Sequence, residues 1–162
     1  IFSSSGVWND DKITADASAR GKDIGGFIVF DKNSVNNIEM IVGISSISID
    51  HARSNIVSEV KGGDFDTVLA ETTNVWQTEL DRIQVVGGTD EDRIKFYTAY
   101  YHTLMAPTVF SEPGGEYMGF DDKVHSLEGN QKGFYSDMSI WDVHRTEFPW
   151  LAIIQPDRFN DI

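Results

Sequence analysis

The stretch DFDTVLAETTNVWQTELDRIQ, residues 64–84, carries the clearest structural signal in the sequence. Its apolar residues recur at a spacing close to 3.6, the period of one face of an α-helix. These residues are Phe65, Val68, Leu69, Trp76, Leu80 and Ile83. Asp64 follows Gly62-Gly63 and is a candidate N-cap, and Gly87-Gly88 is expected to close the segment. The pattern predicts an amphipathic helix over residues 64–84.

A second helix is predicted directly downstream. Thr89 is a candidate N-cap, and Asp92 three residues later forms a weaker version of the capping box. Pro107 is expected to end this helix, because proline cannot donate the backbone hydrogen bond that a helix interior requires. The apolar face of this helix consists of Ile94, Tyr97, Tyr101, Leu104 and Met105.

The residues before the two helices have a β-strand pattern. The apolar run Phe27–Phe30 is bounded by turn formers, and the segment Ile38–Ile49 is rich in β-branched residues that alternate with serine in its second half. Such patterns are typical of strands in an antiparallel sheet with one solvated face. The segment Ser3–Arg20 is polar and is assigned no structure.

The residues after the two helices combine turns with a final helix. Residues 111–135 contain Pro113-Gly114-Gly115 and Asp121-Asp122 between short aromatic runs, which predicts one or two β-hairpins. The segment Met138–Ile154 is interpreted as a strand or loop that leads into a helix, with a break near Pro149. The whole chain is therefore expected to be of the α+β class.

Composition excludes several classes of function. The 162 residues carry a net charge of −13, which argues against nucleic acid and anionic membrane surfaces as partners. There is no cysteine, so a disulfide, a thiolate zinc site and a cysteine nucleophile are excluded. No apolar run approaches the roughly 20 residues that span a bilayer, so no membrane span is expected. The apolar and aromatic content predicts a packed core.

Few segments have the residue types that chemistry requires. The four histidines lack metal-ligand spacing, and neither a nucleophile elbow nor a phosphate-binding loop is present. Trp141, Asp142 and Arg145 lie within five residues and supply an aromatic plate, a hydrogen-bond acceptor and a planar donor. Sugars are bound by this combination, because their C–H faces stack on aromatic rings and their hydroxyls bind charged groups. A buried Asp–Arg pair beside a core tryptophan explains the same residues without a ligand.

A collinear set of motifs runs from about residue 38 to the end of the chain. Its first part comprises Val42-Gly43-Ile44-Ser45, His51-Ala52-Arg53-Ser54-Asn55, Gly63-Asp64-Phe65-Asp66, Val75-Trp76 and Gly87-Gly88-Thr89-Asp90. Its second part comprises Phe96–His102, Leu104–Pro107, Phe110-Ser111, Tyr117–Asp121, Ser139–Asp142 and Gln155–Asp161. In this order the motifs resemble family-92 glycoside hydrolases, which are calcium-dependent exo-α-mannosidases. The first 25 residues match poorly.

The resemblance implies an architecture. Residues 1–60 would be the C-terminal part of an antiparallel β-sandwich, residues 61–88 a linker helix, and residues 89–162 the start of an (α/α)6 catalytic barrel. Both chain ends are expected to be cuts through something larger. The rest of the fold, or a partner chain, would then cover large apolar faces, and residues 1–162 alone are expected to aggregate or to stay partly unfolded.

The resemblance also implies an activity. The family removes terminal α-linked mannose from glycans by inverting hydrolysis with calcium, so mannose-containing glycans are the expected partners. The acid, the base and most calcium ligands of the family lie beyond residue 162, so no catalytic or metal-ligating residue is expected in this chain. By resemblance, Trp141 and Asp142 line the mannose site and Arg145 orients Asp142. One departure is His144, where the family usually has Tyr or Phe.

A second hypothesis is a non-catalytic relative that keeps the fold as a glycan-binding or structural extracellular module. It is motivated by the lack of an acid–base pair in these residues. Under either hypothesis the expected location is extracellular or in the secretory pathway, and periplasmic if the source is bacterial.

Overall fold

The computed structural model describes residues 2–34 and 36–162. Strands and helices both contribute, which confirms the α+β class, whereas the sandwich, the barrel and the domain boundaries at residues 60 and 88 stay predictions. The strands are β1 (Ser4–Asn9), β2 (Lys12–Thr14), β3 (Ile24–Val29), β4 (Thr108–Val109), β5 (Glu116–Met118), β6 (Val124–Ser126) and β7 (Tyr135–Ser136). The helices are α1 (Ile49–Val60), α2 (Phe65–Leu80), α3 (Asp90–Thr103), α4 (Ile140–Val143), α5 (Glu147–Ile154) and α6 (Pro156–Phe159).

The chain divides into two compact units, one up to Met40 and the other from Ile41. The first unit is an antiparallel sheet of order β2-β1-β3. Trp8 and Gly25 are cross-strand partners, and the indole lies so close that a Cβ at Gly25 would be 2.4 Å from Trp8 Cε2. Only glycine therefore fits opposite this tryptophan. The strand predicted near Phe27–Phe30 is confirmed as β3, whereas β1 and β2 lie in the segment that was assigned no structure.

The strand predicted over Ile38–Ile49 is wrong. No strand is found at residues 38–48, and residue 49 begins α1 instead. The Ser48 hydroxyl caps this helix by accepting from the backbone N–H of His51 at 3.2 Å. A β-rich pattern forms a strand only where a neighbouring strand pairs with it, and no described residue pairs with this segment. The exposed side chains of Met40 (82%) and Ile44 (81%) agree with an unpaired segment.

Helices α2 and α3 begin where their capping residues predict. Asp64 Oδ1 accepts from the Thr67 hydroxyl at 2.7 Å and from the Thr67 backbone N–H at 2.9 Å. The hydroxyl bond and then the backbone bond lower the pKa of Asp64. Thr89 and Asp92 form both bonds of a capping box. Helix α2 ends at Leu80, earlier than predicted, and Gly87 and Gly88 lie in the connection to α3 with positive φ angles.

The second half of the chain contains the predicted hairpin and three short helices. Strands β5 and β6 pair antiparallel, with Tyr117 opposite His125. The predicted break near Pro149 is wrong, because the interruption lies at residues 144–146 and Pro149 falls in the first turn of α5. The first-turn position has no intrahelical acceptor for a backbone N–H, so proline does not interrupt a bond there. Within the described residues, no helix is long and apolar enough to cross a membrane.

A small core lies where α2, α3, α5 and α6 meet. Tyr100 and Leu151 are 2% and 4% exposed, and the Tyr100 ring contacts the Trp150 ring edge-on at 5.6 Å. Glu79 accepts from Gln155 Nε2, from Arg82 Nε at 2.7 Å and from Arg158 Nη2 at 3.3 Å. The Tyr100 hydroxyl donates to the backbone carbonyl of Glu79 at 3.0 Å. We call this set, Glu79, Tyr100, Leu151, Gln155 and Arg158, the Glu79 junction.

Candidate functional site

The candidate sugar-binding residues lie on a short turn of helix. We call residues 139–145 the α4 turn. Its backbone is closed by the N–H groups of Asp142 and Val143, which donate to the Ser139 carbonyl at 2.8 and 3.1 Å. The Ser139 hydroxyl donates to Asp142 Oδ2 at 2.5 Å. The Asp142 carboxylate is therefore oriented by a neighbour within its own turn and not by a distant element.

Within this chain these residues are exposed and do not form a core pair. The Trp141 side chain is 87% exposed, and Asp142 and Arg145 are exposed as well. Within the described residues, Asp142 Oδ1 accepts no hydrogen bond and Arg145 makes no ion pair with Asp142. A carboxylate with one free oxygen can accept a hydrogen bond from a sugar hydroxyl while the exposed indole beside it packs against a C–H face of the same sugar. Within the described residues Ser139, and not the expected Arg145, is the side chain that contacts and orients Asp142.

Arg145 bonds to its neighbour in the chain instead. Its Nε lies 3.4 Å from His144 Nε2. The other ring nitrogen of His144, Nδ1, is 3.0 Å from the backbone carbonyls of both Ile140 and Trp141. The imidazole therefore binds two carbonyls at the end of α4: that of Ile140, which also accepts from the backbone N–H of His144 at 3.3 Å, and that of Trp141, for which no backbone donor is described.

An aromatic cavity adjoins the residues that follow the α4 turn. It has a volume of about 410 Å³ and lies between α3 and the start of α5. Its lining residues are Phe96, Ala99, Tyr100, Thr103, Thr146, Glu147 and Trp150. Trp150 Nε1 donates to Thr103 Oγ1 at 3.1 Å. Glu147 Oε1 is buried without a described partner, and this burial raises the pKa of the Glu147 carboxyl group.

A polar cluster connects α1 with the start of β5 and the loop before it. His51 Nε2 lies 2.9 Å from Glu116 Oε2, and Glu112 accepts from the Ser45 hydroxyl at 2.5 Å and from Asn55 Nδ2 at 3.2 Å. The hydrogen bond to Glu116 raises the pKa of His51, and it outweighs desolvation. The motif residues of the sequence include Ser45, His51 and Asn55, but no local signal assigned the two glutamates to them. These side chains satisfy one another, so the cluster is a structural connection.

The described residues do not form a calcium site by themselves. No group of three or more His, Asp or Glu side chains among them could hold a metal ion. Asp121 Oδ1, in the Asp121-Asp122 pair, lies 2.9 Å from His125 Nε2, and this bond lowers the pKa of Asp121. Calcium requires six to eight oxygen ligands, and an exposed carboxylate that is already bound to histidine supplies few of them.

Similar solved structures share the fold of this chain. The family GH92 glycosyl hydrolase CcMan5 is 24% identical over 98% of this chain and 21% of its own chain, with a TM-score of 0.84. A GH92 α-mannosidase from Bacteroides thetaiotaomicron is 24% identical over 99% of this chain and 22% of its own, with a TM-score of 0.76. The structure of this enzyme in complex with mannoimidazole is 23% identical over 93% of this chain and 20% of its own, with a TM-score of 0.70. The chain thus spans about a fifth of the length of these relatives.

The family is shown by a match to its sequence model. No curated protein matches the sequence. The model of the glycosyl hydrolase family 92 catalytic domain matches residues 51–162, which is more than half of the chain and includes most of α1, the Glu79 junction and the α4 turn. The motif order, the fold and this match agree, and the chain belongs to glycosyl hydrolase family 92.

Proposed function

We propose that this chain is part of a glycoside hydrolase that removes terminal α-linked mannose from glycans. Family membership supports the glycoside hydrolase class, and the α-mannosidases among the structural relatives support mannose as the sugar. The observation that carries the site assignment is the exposed Trp141 beside Asp142. Because the chain spans about a fifth of its relatives, the activity is proposed for the full-length protein.

Three side chains of the α4 turn, those of Trp141, Asp142 and Arg145, bind the sugar in this proposal. The Trp141 indole stacks on the C–H face of the terminal mannose, which removes apolar surface of both from water. Asp142 Oδ1 accepts from a mannose hydroxyl while Oδ2 keeps its bond to Ser139. A charge-assisted bond of this kind is directional and selects the position of the hydroxyl group. Arg145 supplies donors to a second sugar oxygen.

The acid, the base and the calcium ion are proposed to belong to other parts of the full-length protein. An inverting hydrolase needs two carboxyl groups about 6.5–9.5 Å apart across the sugar. The carboxylates described at Glu112, Glu116 and Asp121 are bound to neighbours of their own. The remaining fold, or a partner chain, is proposed to cover the apolar faces of this chain, and the location is proposed to be extracellular, secretory or periplasmic.

Activity of the full-length protein tests the reaction. We expect release of mannose from an α-mannoside, loss of that release with a calcium chelator, and recovery on adding calcium. Proton NMR during the first turnovers is expected to show β-mannose, since inversion changes the anomer. Release that is insensitive to the chelator contradicts the calcium proposal, and initial formation of α-mannose contradicts inversion.

Asp142→Asn tests the site independently of catalysis. The change keeps the shape of the side chain but removes its charge, so mannoside affinity should fall roughly 10- to 100-fold, the cost of a hydrogen bond to a charged group. Asp66→Asn is the matched control, because Asp66 is an exposed carboxylate in the first turn of α2. Calorimetry with methyl α-mannoside measures both variants. Unchanged affinity in Asp142→Asn removes Asp142 from the site.

The second candidate function is a non-catalytic module that binds mannose-containing glycans or has a structural role. It is motivated by the carboxylates named above, each of which is bound to neighbours of its own, so no acid–base pair is identified among them. Mannoside binding without any mannose release by the full-length protein supports this candidate. Mannose release excludes it.

A further inference from the structure

The hydrogen bonds of His144 determine which ring nitrogen carries its proton. Nδ1 lies 3.0 Å from two backbone carbonyl oxygens, those of Ile140 and Trp141. A carbonyl oxygen can only accept, so Nδ1 must bear a hydrogen. Nε2 faces Arg145 Nε at 3.4 Å, and a guanidinium group can only donate. Nε2 must therefore present its lone pair, and the arrangement requires the neutral imidazole with its hydrogen on Nδ1.

We propose that His144 is a positioning residue that holds the Arg145 guanidinium at the end of the α4 turn only while its imidazole is neutral. Protonation would place an N–H of His144 against an N–H of Arg145 and set two positive charges beside each other. The lone pair that accepts from Arg145 is lost in that state. Arg145 is then released, while Asp142 keeps its bond to Ser139 and Trp141 stays exposed.

Other groups near His144 do not change this outcome. The two backbone carbonyls bind Nδ1–H in the neutral and in the protonated ring, so they do not require either state. The Asp142 carboxylate, on the same turn, is bound to Ser139. Within the described residues, Arg145 is the one charged side chain in hydrogen-bond contact with His144. Both side chains are exposed, so a proton reaches the imidazole directly.

The consequence for ligand binding rests on the proposed function. If Arg145 donates to a sugar oxygen, protonation of His144 lowers the affinity for the mannoside, so acidification weakens binding. We expect a decrease of about fivefold, the effect of repulsion between two exposed unit charges at this separation. The proposal about the ring itself does not depend on a sugar.

Nitrogen NMR of the full-length protein with labelled histidine and arginine tests the ring directly. At pH 8 we expect His144 to show a protonated Nδ1 and an unprotonated Nε2, and the Arg145 Nε signal to shift as His144 titrates. A hydrogen on Nε2 at pH 8, or an Arg145 signal that ignores the titration, overturns the proposal. This result is informative even if the protein binds no mannoside, so failure of the proposed function and failure of this inference are distinguishable.

Two variants and a control test the link to binding. In His144→Phe the acceptor is lost, so methyl α-mannoside affinity at pH 8 should fall and its dependence on pH should disappear. In His144→Gln the amide oxygen can accept from Arg145 without titrating, so part of the lost affinity should return and the pH dependence should stay absent. His102→Gln, at another exposed histidine, should keep the pH profile of the unsubstituted protein. A pH dependence that survives in both His144 variants overturns the link.

Discussion

The Glu79 junction and the α4 turn are held together in opposite ways. In the junction, Glu79 binds residues 76 and 79 positions away in the chain, and Tyr100 is 2% exposed. In the α4 turn, each described bond joins residues at most four positions apart, and Trp141 is 87% exposed. The junction is therefore stabilised by tertiary packing, whereas the turn is formed locally and leaves its side chains available. The comparison predicts that changes in the junction affect stability and that changes in the turn affect binding.

The largest effect is expected from Tyr100→Ala. The variant removes a buried ring that contacts Phe96 and Trp150, together with a hydroxyl that binds the Glu79 carbonyl. The free energy of unfolding should fall by about 3–5 kcal/mol, the usual cost of truncating a buried aromatic residue. Chemical denaturation of the full-length protein, followed by tryptophan fluorescence, measures it. A loss below about 1 kcal/mol, the size of an average substitution, contradicts a central role of the junction.

A smaller effect is expected from Glu79→Gln. The glutamine keeps the shape of the side chain but removes the charge that Arg82 and Arg158 bind, so the free energy of unfolding should fall by about 1–3 kcal/mol. Glu71→Gln, at an exposed position of the same helix, is the matched control and should change it by less than about 0.5 kcal/mol.

The contribution of Glu79 should also depend on pH. Burial raises the pKa of Glu79, but the bonds and charges of Arg82, Gln155 and Arg158 outweigh it and hold the pKa below 4.5. A carboxyl group with a lowered pKa in the folded state stabilises above its unfolded pKa, and the gain is lost as the pH falls through the folded pKa. The difference between Glu79→Gln and the unsubstituted protein should therefore shrink below pH 4.5. An unchanged difference there contradicts the charged junction.

The polar cluster at His51 should give a still smaller, opposite dependence on pH. The hydrogen bond to Glu116 raises the pKa of His51 above 6.5, so its stabilising effect is complete below pH 6.5 and is lost as the pH rises through the folded pKa. NMR titration should show a His51 pKa above 6.5 that decreases in Glu116→Gln. Glu128→Gln is the control, because Glu128 is an exposed glutamate outside the residues named in this cluster. A His51 pKa that is the same in both variants excludes Glu116 as its cause.

The smallest effect on stability is expected from Trp141→Ala. The indole is exposed and its loss leaves no cavity, so the free energy of unfolding should change by less than about 0.5 kcal/mol. Affinity for methyl α-mannoside should nevertheless fall at least tenfold, because a stacking partner is lost. A destabilisation comparable to that of Tyr100→Ala would show that Trp141 is a packing residue, and the contrast between the two regions would not hold.

Local sequence signals were sufficient to predict an element where the interactions that form it lie within a few residues of one another. Asp64, Thr89 and Asp92 specify the starts of α2 and α3, because a capping bond involves groups only three residues apart. The hairpin around Tyr117 and His125 followed from turn-forming residues between short aromatic runs. The strand prediction for residues 38–49 was wrong for the opposite reason. Strand propensity reflects how a segment packs against a neighbouring strand, and the local sequence does not show whether such a strand is present.

The sequence by itself determined the starts of α2 and α3, the α+β class and the family, because these depend on local spacing and on the order of motifs. Only the tertiary structure decided that Glu79 binds Gln155 and Arg158 and that α1 is connected to Glu112 and Glu116. The physical reason is that a polar side chain can bind any of several partners within reach. The folded backbone alone determines which of them is close enough and correctly oriented.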